Sequence, residues 1–390
     1  MRVFVLGAGV SKTVGYPLGS ELFGDIDKYV SECGRLINRF DYAKDWPWLC
    51  RRLRESKNTL IREAYHRRQL EHLFTILDLV SVTHTEALLG VFYSSKLGAE
   101  AVTAAESHYK KVDQLTKQYI RYRQILLWAL EAYFQNKHHY DREQFDQTQW
   151  DDLKTFGHKL SPGDVVITFN YDSTLERVLL CQGKWSPRNG YGFDIVCQRS
   201  AYDNTPVHLD ESAITILHLH GSIGWYRKPS MREEYIRDGQ AGAVPREAFG
   251  PAPLETKASL DSIFLRDLGL NAVDAMLPRS PPQDPQLLLH PSFFKDYEME
   301  GGNTLFVGLW RKAAEALRQA GEIVMIGYSL PPADSAALTL LLTNSERSKV
   351  EIVNSDTSAN WRLRRLLSSS PLQARQSFQE WLSRTPDCST

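Results

Sequence analysis

The sequence predicts an α/β fold with a doubly wound parallel sheet, and three observations support this prediction. Short apolar runs rich in β-branched residues end abruptly in glycine or polar residues. Helix-type periodicity, with apolar residues three or four positions apart, separates these runs. Polar clusters follow the apolar runs instead of preceding them. Because ligands of such sheets collect outside the carboxyl ends of the strands, the third observation predicts one functional edge.

Residues 2–6 predict the central strand, because this apolar run ends in a glycine turn. The segment Gly7-Ala8-Gly9-Val10-Ser11 follows directly. A strand followed by Gly-x-Gly and a helix brings backbone N–H groups close to a pyrophosphate, as in Rossmann-like domains. The dehydrogenase fingerprint requires a third glycine where this chain has Lys12, and an acidic residue after a second strand where it has helices. The pattern therefore favours dinucleotide binding and disfavours hydride transfer.

Residues 25–155 are dominated by helix formers, with apolar side chains at helical spacing. An example is the series Leu70, Leu73, Phe74, Leu77 and Val80. We predict five or six helices here, inserted between the first two strands as a second lobe. Its function stays open between a packing lobe and a lid over the nucleotide or an oligomer interface.

Four further apolar runs predict the remaining strands, at 164–170, 213–220, 322–326 and 349–353. A helix beginning near Asp334 separates the last two. The proline-rich stretch 226–318 predicts loops and short helices that pack on the sheet domain. The predicted Rossmann-like domain thus combines residues 1–24, 156–225 and 319–365.

Composition excludes several classes of function. Lysine and arginine number 46 against 47 acidic residues, so no overall charge favours nucleic acid or an anionic membrane. No stretch approaches the roughly 18 apolar residues that a membrane span requires. The five scattered cysteines lack Cys-x-x-Cys spacing, which argues against disulfides and a structural zinc site. We therefore expect a cytoplasmic protein without a metal.

Several motifs together carry a family resemblance. The glycine-rich segment continues into Gly15, Pro17 and Leu22, and the later strands end in Thr168-Phe169-Asn170-Tyr171-Asp172, His220-Gly221-Ser222, Gly327-Tyr328-Ser329-Leu330 and Asn354. In this order they resemble the sirtuin superfamily, and more closely its bacterial sirtuin-like branch of antiphage defence. The resemblance covers under half of the chain, in its Rossmann-like part.

The resemblance implies a residue set for NAD+ as substrate. His220 matches the family's catalytic histidine, and Asn170 and Asp172 would border the nicotinamide pocket. The implied NAD+ contacts lie in the glycine-rich segment and at the ends of the other strands, at Gly7, Ala8, Gly9, Ser11, Pro17, Thr168, Gly327, Ser329, Leu330 and Asn354.

The residue types suit cleavage of the nicotinamide–ribose bond, which develops oxocarbenium character. His220, with an ordinary pKa of about 6.5, can accept a proton near neutral pH. Asn170 can orient water or ribose without adding charge, and Asp172 can stabilise the cation or fix nearby backbone. Taken alone, Asn170 and Asp172 are more typical of caps for a helix starting at Ser173, and the co-occurring motifs favour the functional interpretation. His218 points to the face opposite His220, and we expect it to be structural.

Two departures from the family pattern disfavour deacylation. The chain lacks the four-cysteine zinc module of the protein-deacylating sirtuins, and it has Leu18-Gly19-Ser20-Glu21 where they carry an acidic-aromatic-arginine segment. The expected function is an NAD+ glycohydrolase that depletes NAD+ during phage infection. The alternatives are a deacylase or ADP-ribosyltransferase, and a non-catalytic NAD+ or ADP-ribose sensor. The resemblance implies a homo-oligomer and a defence-system partner, such as a HerA-like ATPase or an Argonaute-type protein.

Overall fold

The computed structural model describes most of the sheet region and part of the remaining chain. The described residues are 1–33, 41–79, 117–134, 136–137, 148–193, 196–200, 203–206, 211–227, 263–265, 286–289, 303–331, 334–345, 348–367 and 376–384. In this part of the chain, no helix is long and apolar enough to span a bilayer.

Five parallel strands form the main sheet, which confirms the predicted α/β class. They are β1 (Arg2–Leu6), β2 (Val165–Thr168), β5 (Thr215–His218), β9 (Glu322–Ile326) and β10 (Lys349–Val353). Their order is β10-β9-β1-β2-β5, so β1 is central, as predicted. If the five strands are renumbered 1 to 5 in chain order, the sheet reads 3-2-1-4-5 from β5 to β10. Successive strands are added on one side from β1 to β5 and on the other side from β9 to β10, so the order reverses between β1 and β9. In doubly wound sheets that reversal marks the crevice where ligands bind.

Buried strand residues and flanking helices form the core around this sheet. Val3, Phe4 and Val5 in β1 are fully buried. Phe4 packs edge-on against Phe156 and Trp381, at centroid distances of 5.4 and 6.4 Å. The helices beyond the insertion are α7 (Asp151–Lys159), α8 (Thr174–Cys181), α9 (Pro187–Gly190), α10 (Asn303–Gln319), α11 (Ser335–Asn344), α12 (Thr357–Leu367) and α13 (Phe378–Arg384). Crossovers between parallel strands are right-handed. The helices that precede β2 and β5 therefore cover one face of the sheet, and the helices that precede β9 and β10 cover the other.

Helices occupy the described part of the predicted insertion. After the short helix α1 (Ala8–Ser11), which precedes the insertion, come α2 (Gly19–Cys33), which extends into it, and α3 (Asp41–Arg54), α4 (Thr59–His66), α5 (70–79) and α6 (117–134) within it. Their buried residues belong to the same hydrophobic cluster as those of the sheet. Phe134 of α6, for example, stacks on Tyr16 at 6.0 Å and meets Tyr171 edge-on at 5.6 Å. The separate second lobe therefore stays a prediction.

A second five-stranded sheet was not predicted. It has the order β4-β3-β7-β6-β8. Its strands are β3 (Val196–Ser200), β4 (Asp203–Pro206), β6 (Gly221–Arg227), β7 (Ile263–Leu265) and β8 (Gln286–Leu288). The expectation of loops and short helices over 226–318 was wrong where this segment forms β7, β8 and the 17-residue helix α10. Strands of three residues are too short to show alternation in the sequence.

Candidate active site

The loops after β1 and β9 touch at the point where the sheet order reverses. The Gly7 N–H donates to the Ile326 carbonyl at 3.1 Å, and the Gly9 N–H donates to the Gly327 carbonyl at 3.0 Å. A Cβ on Gly9 would lie 2.7 Å from the Gly327 Cα, and one on Gly7 would lie 2.5 Å from the Tyr328 Cα. Gly327 also has a φ of +63°, which favours glycine. The backbones therefore approach as closely as they do because these three residues lack side chains.

The Ser11 hydroxyl joins the loops after β1 and β2. It donates to Asp172 Oδ2 at 2.7 Å and accepts from Asn170 Nδ2 at 2.9 Å. The same Asn170 amide donates to the Gly7 carbonyl at 3.1 Å, and Thr168 Oγ1 accepts from the Asn170 N–H at 3.1 Å. Five of the predicted site residues thus share one hydrogen-bonded group, which we name the Ser11 network.

The Asp172 carboxyl contacts both the start of α8 and Ser11. Its Oδ1 accepts from the Thr174 N–H at 3.2 Å and from the Thr174 hydroxyl at 2.5 Å, which caps α8 one residue later than expected. Its Oδ2 is bound to Ser11. Burial raises the pKa of Asp172 above its ordinary value, although the hydrogen bonds from Thr174 and Ser11 favour the charged form. Both carboxyl oxygens are therefore committed to holding backbone and Ser11.

A small internal cavity lies behind the Ser11 network. It offers about 10 Å³ for the centre of a water molecule, close to the minimum for one buried water. Polar side chains lining it include Ser11, Thr168, Asn170, Asp172, Glu176 and His218.

His218 has the structural contacts expected of it, and its partner Glu176 was missed from the sequence. The His218 Nε2 lies 2.5 Å from Glu176 Oε1, and its Nδ1 lies 3.1 Å from the Asn170 carbonyl oxygen. Burial lowers the pKa of His218, but the Glu176 carboxylate and the two hydrogen bonds outweigh it, so the pKa is raised overall. The Tyr191 hydroxyl also donates to Glu176, at 3.3 Å.

His220 lies beyond the end of β5, in a separate cluster that we name the Phe169 cluster: Phe169, His220, Tyr328 and Asp334. The imidazole is 5% exposed, and the Phe169 ring meets it edge-on at 5.1 Å. The Tyr328 ring stacks on Phe169 at 4.4 Å. Asp334 Oδ1 lies 3.5 Å from His220 Nε2, and Asp334 Oδ2 accepts from the Tyr328 hydroxyl at 3.0 Å. The sequence identified Asp334 as the start of a helix, but no feature of the sequence indicated its contact with His220.

The remaining predicted contacts lie in the loops after β9 and β10 and at the start of α1. Asn354 Nδ2 donates to the Tyr328 carbonyl at 3.1 Å, which ties the loops after β9 and β10 together. Leu330 is buried with a φ of +49°, a strained value for a leucine, and Ser329 is exposed. Ala8 is half-buried at the start of α1.

Pro17 lies further from these groups along the chain. It is buried two residues before α2 begins. The preceding residue, Tyr16, donates its N–H to the Ser11 carbonyl at 3.0 Å, which connects this segment to the Ser11 network.

Within the described ranges, no group of three or more histidine, cysteine, aspartate or glutamate side chains is arranged to hold a metal ion. No protein-family model matches this sequence, and no curated protein matches it with significant similarity.

Proposed function

We propose that this chain is an NAD+ glycohydrolase that cleaves NAD+ to nicotinamide and ADP-ribose. The observation that carries the proposal is the Ser11 network, which joins the glycine loop after β1 to Asn170 and Asp172 after β2. It lies beside the reversal of strand order, where doubly wound sheets of the Rossmann type hold dinucleotides. His220 follows the next strand along the same edge.

The reaction requires a base, a held ribose and water. The bond between C1′ of the ribose and the pyridinium nitrogen breaks, and its electron pair neutralises that nitrogen. Water adds to C1′, and its proton passes to the His220 imidazole, which releases it to solvent. A histidine is suited to this transfer because its ordinary pKa lies near neutral pH.

Asn170 and Asp172 take different parts in this proposal. The Asn170 amide donates to Ser11 and to the Gly7 carbonyl, so its position is fixed relative to the glycine loop. We assign it the orientation of the ribose or of the attacking water. Asp172 has both oxygens occupied by Ser11 and Thr174, and we assign it a positioning function instead of contact with the sugar cation.

From the family resemblance, we further propose that the enzyme acts by NAD+ depletion in antiphage defence in the cytoplasm. A homo-oligomer or a partner such as a HerA-like ATPase would control it.

The direct test is to incubate the purified protein with NAD+ and to separate the products by liquid chromatography. We expect equal amounts of nicotinamide and ADP-ribose, and a rate at least about 100-fold lower for His220→Ala, as for loss of a general base. The matched control is His158→Ala, since His158 is exposed on α7. Calorimetry with ADP-ribose should show that His220→Ala still binds the nucleotide.

Three outcomes would contradict the proposal. Formation of O-acyl-ADP-ribose from an acyl-lysine peptide would indicate a deacylase, and transfer of ADP-ribose to protein would indicate a transferase. Binding of NAD+ without nicotinamide release, with and without the protein encoded next to it, would indicate a sensor.

A further inference from the structure

Asp334 occupies the N-cap position of α11 but does not cap the helix. An aspartate at this position usually accepts from backbone N–H groups two or three residues further on. The Asp334 side chain makes no such bond. Its two oxygens face the Tyr328 hydroxyl, at 3.0 Å, and the His220 Nε2, at 3.5 Å. The carboxylate is therefore turned away from its own helix and towards the histidine.

The surroundings of the pair strengthen its interaction. Both side chains are 6% exposed, so little water screens the attraction between a carboxylate and an imidazolium. The Phe169 ring meets the imidazole edge-on and stacks on Tyr328, whose hydroxyl binds Asp334. This closed arrangement fixes the imidazole ring and the carboxylate relative to each other.

We propose that Asp334 is a positioning residue for His220 in the reaction proposed above, on which this inference rests. As an acceptor, its carboxylate favours the tautomer with a proton on Nε2 and orients the ring. When His220 takes the proton of the attacking water, the ring becomes an imidazolium and its charge is balanced by Asp334. Asp334 itself exchanges no proton with the substrate.

In the described part of the chain, three titratable side chains near His220 have identified partners of their own. Tyr171, on the β2 side with a ring distance of 6.3 Å, donates its hydroxyl to the Leu289 carbonyl at 2.6 Å. Tyr328 donates to Asp334 itself. His218 precedes His220 by two residues and is paired with Glu176. Among the described contacts of His220, the one with a carboxylate is that with Asp334.

Asp334→Asn tests the proposal, because asparagine keeps the size and an acceptor for Tyr328 but removes the charge. We expect kcat to fall about 10- to 100-fold with KM changed less than about threefold, as for an interaction that strengthens in the transition state. The acidic limb of the pH profile of kcat/KM should move about one unit lower, because an imidazole without a nearby carboxylate holds its proton less tightly. A purely structural residue would not produce this shift.

The pKa of His220 supplies a readout that does not depend on turnover. It can be followed by NMR in histidine-labelled protein, with the His220 signal among the 11 histidines assigned by its loss in His220→Gln. We expect this pKa to be about one unit lower in Asp334→Asn than in the wild type. The control is Glu322→Gln, which removes a half-buried carboxylate paired with Lys349 at the opposite end of β9 and should leave both readouts unchanged.

The outcomes separate this inference from the proposed function. An unchanged His220 pKa in Asp334→Asn overturns the inference, whether or not the protein cleaves NAD+. If the His220 pKa is lower in Asp334→Asn but the wild-type protein releases no nicotinamide, the interaction between Asp334 and His220 is supported and the proposed glycohydrolase activity is overturned. If Asp334→Asn does not fold, Tyr328→Phe removes the hydrogen bond that Asp334 accepts from the Tyr328 hydroxyl, and a pKa of His220 equal to that of the wild type overturns the inference.

Discussion

The Nε2 of His218 lies 2.5 Å from Oε1 of Glu176, and both side chains are 1% exposed. On the other side of the ring, Nδ1 faces the Asn170 carbonyl at 3.1 Å. A carbonyl oxygen only accepts hydrogen bonds, so Nδ1 carries a proton, and a second proton lies between Nε2 and Glu176. The pair of His218 and Glu176 therefore has no net charge, and its imidazole donates a hydrogen bond to the Asn170 carbonyl.

Removal of Glu176 should destabilise the protein strongly. We expect Glu176→Ala to lower the free energy of unfolding by about 3–5 kcal/mol, because it leaves a buried charge without its partner. Urea denaturation at neutral pH measures this. The same change at the half-buried Glu322, whose partner Lys349 is exposed, should cost at most about 1 kcal/mol. Equal losses in the two variants would argue against the buried pair.

The same pair predicts a decline in stability at alkaline pH. Because the pKa of His218 is raised in the folded protein, its contribution to stability is complete below the unfolded value of about 6.5 and is lost as the pH rises through the folded value. Melting temperatures measured from pH 5.5 to pH 9 should show this decline. It should be smaller in Glu176→Gln, where the group that raises the pKa of His218 is neutral, and an identical decline would contradict the assignment.

Asp172→Asn should retain or increase stability at neutral pH. Burial raises the pKa of Asp172, so the folded protein loses stability as the pH rises from about 3.9 through the folded value. Asparagine does not ionise, and its oxygen can still accept from Thr174. Urea denaturation should therefore show that the free energy of unfolding falls less between pH 4 and pH 7 in Asp172→Asn than in the wild type. The exposed Asp151→Asn serves as the control, and a variant less stable than the wild type at pH 7 would contradict this account.

Gly9→Ala should destabilise the protein and weaken nucleotide binding. Its methyl group would lie 2.7 Å from the Gly327 Cα, so one backbone must move, at a cost of about 1–3 kcal/mol. Gly24→Ala is the opposite case, because Gly24 lies inside α2 and, apart from its chain neighbours and its own helix backbone, no atom lies within 4 Å of the added carbon. There we expect a gain of about 0.5–1 kcal/mol from helix propensity. Thermal melting compares the two variants, and a neutral Gly9→Ala would show that the loops separate easily.

The sheet could be predicted from the sequence because its strands are apolar runs that end in glycine or polar residues. This signal located β1 and the polar residues at the carboxyl edge, and with them Ser11 and Asn170 of the Ser11 network. Glu176 and Asp334 could not be found in this way. A glutamate within a helix is typical of a solvated face, and an aspartate at a helix start is typical of a cap. Only the tertiary fold shows that each faces a histidine.

The contact between Gly9 and Gly327 has a consequence for the proposed binding of NAD+. The Gly9 N–H already donates to the Gly327 carbonyl. A phosphate oxygen that accepts a hydrogen bond from this N–H must therefore displace the carbonyl. In the proposed enzyme, NAD+ binding and separation of the two loops would be one coupled equilibrium, and the measured dissociation constant would equal the intrinsic one divided by the fraction of molecules with separated loops. A protein partner that held the loops apart would increase the affinity for NAD+ without contacting the nucleotide.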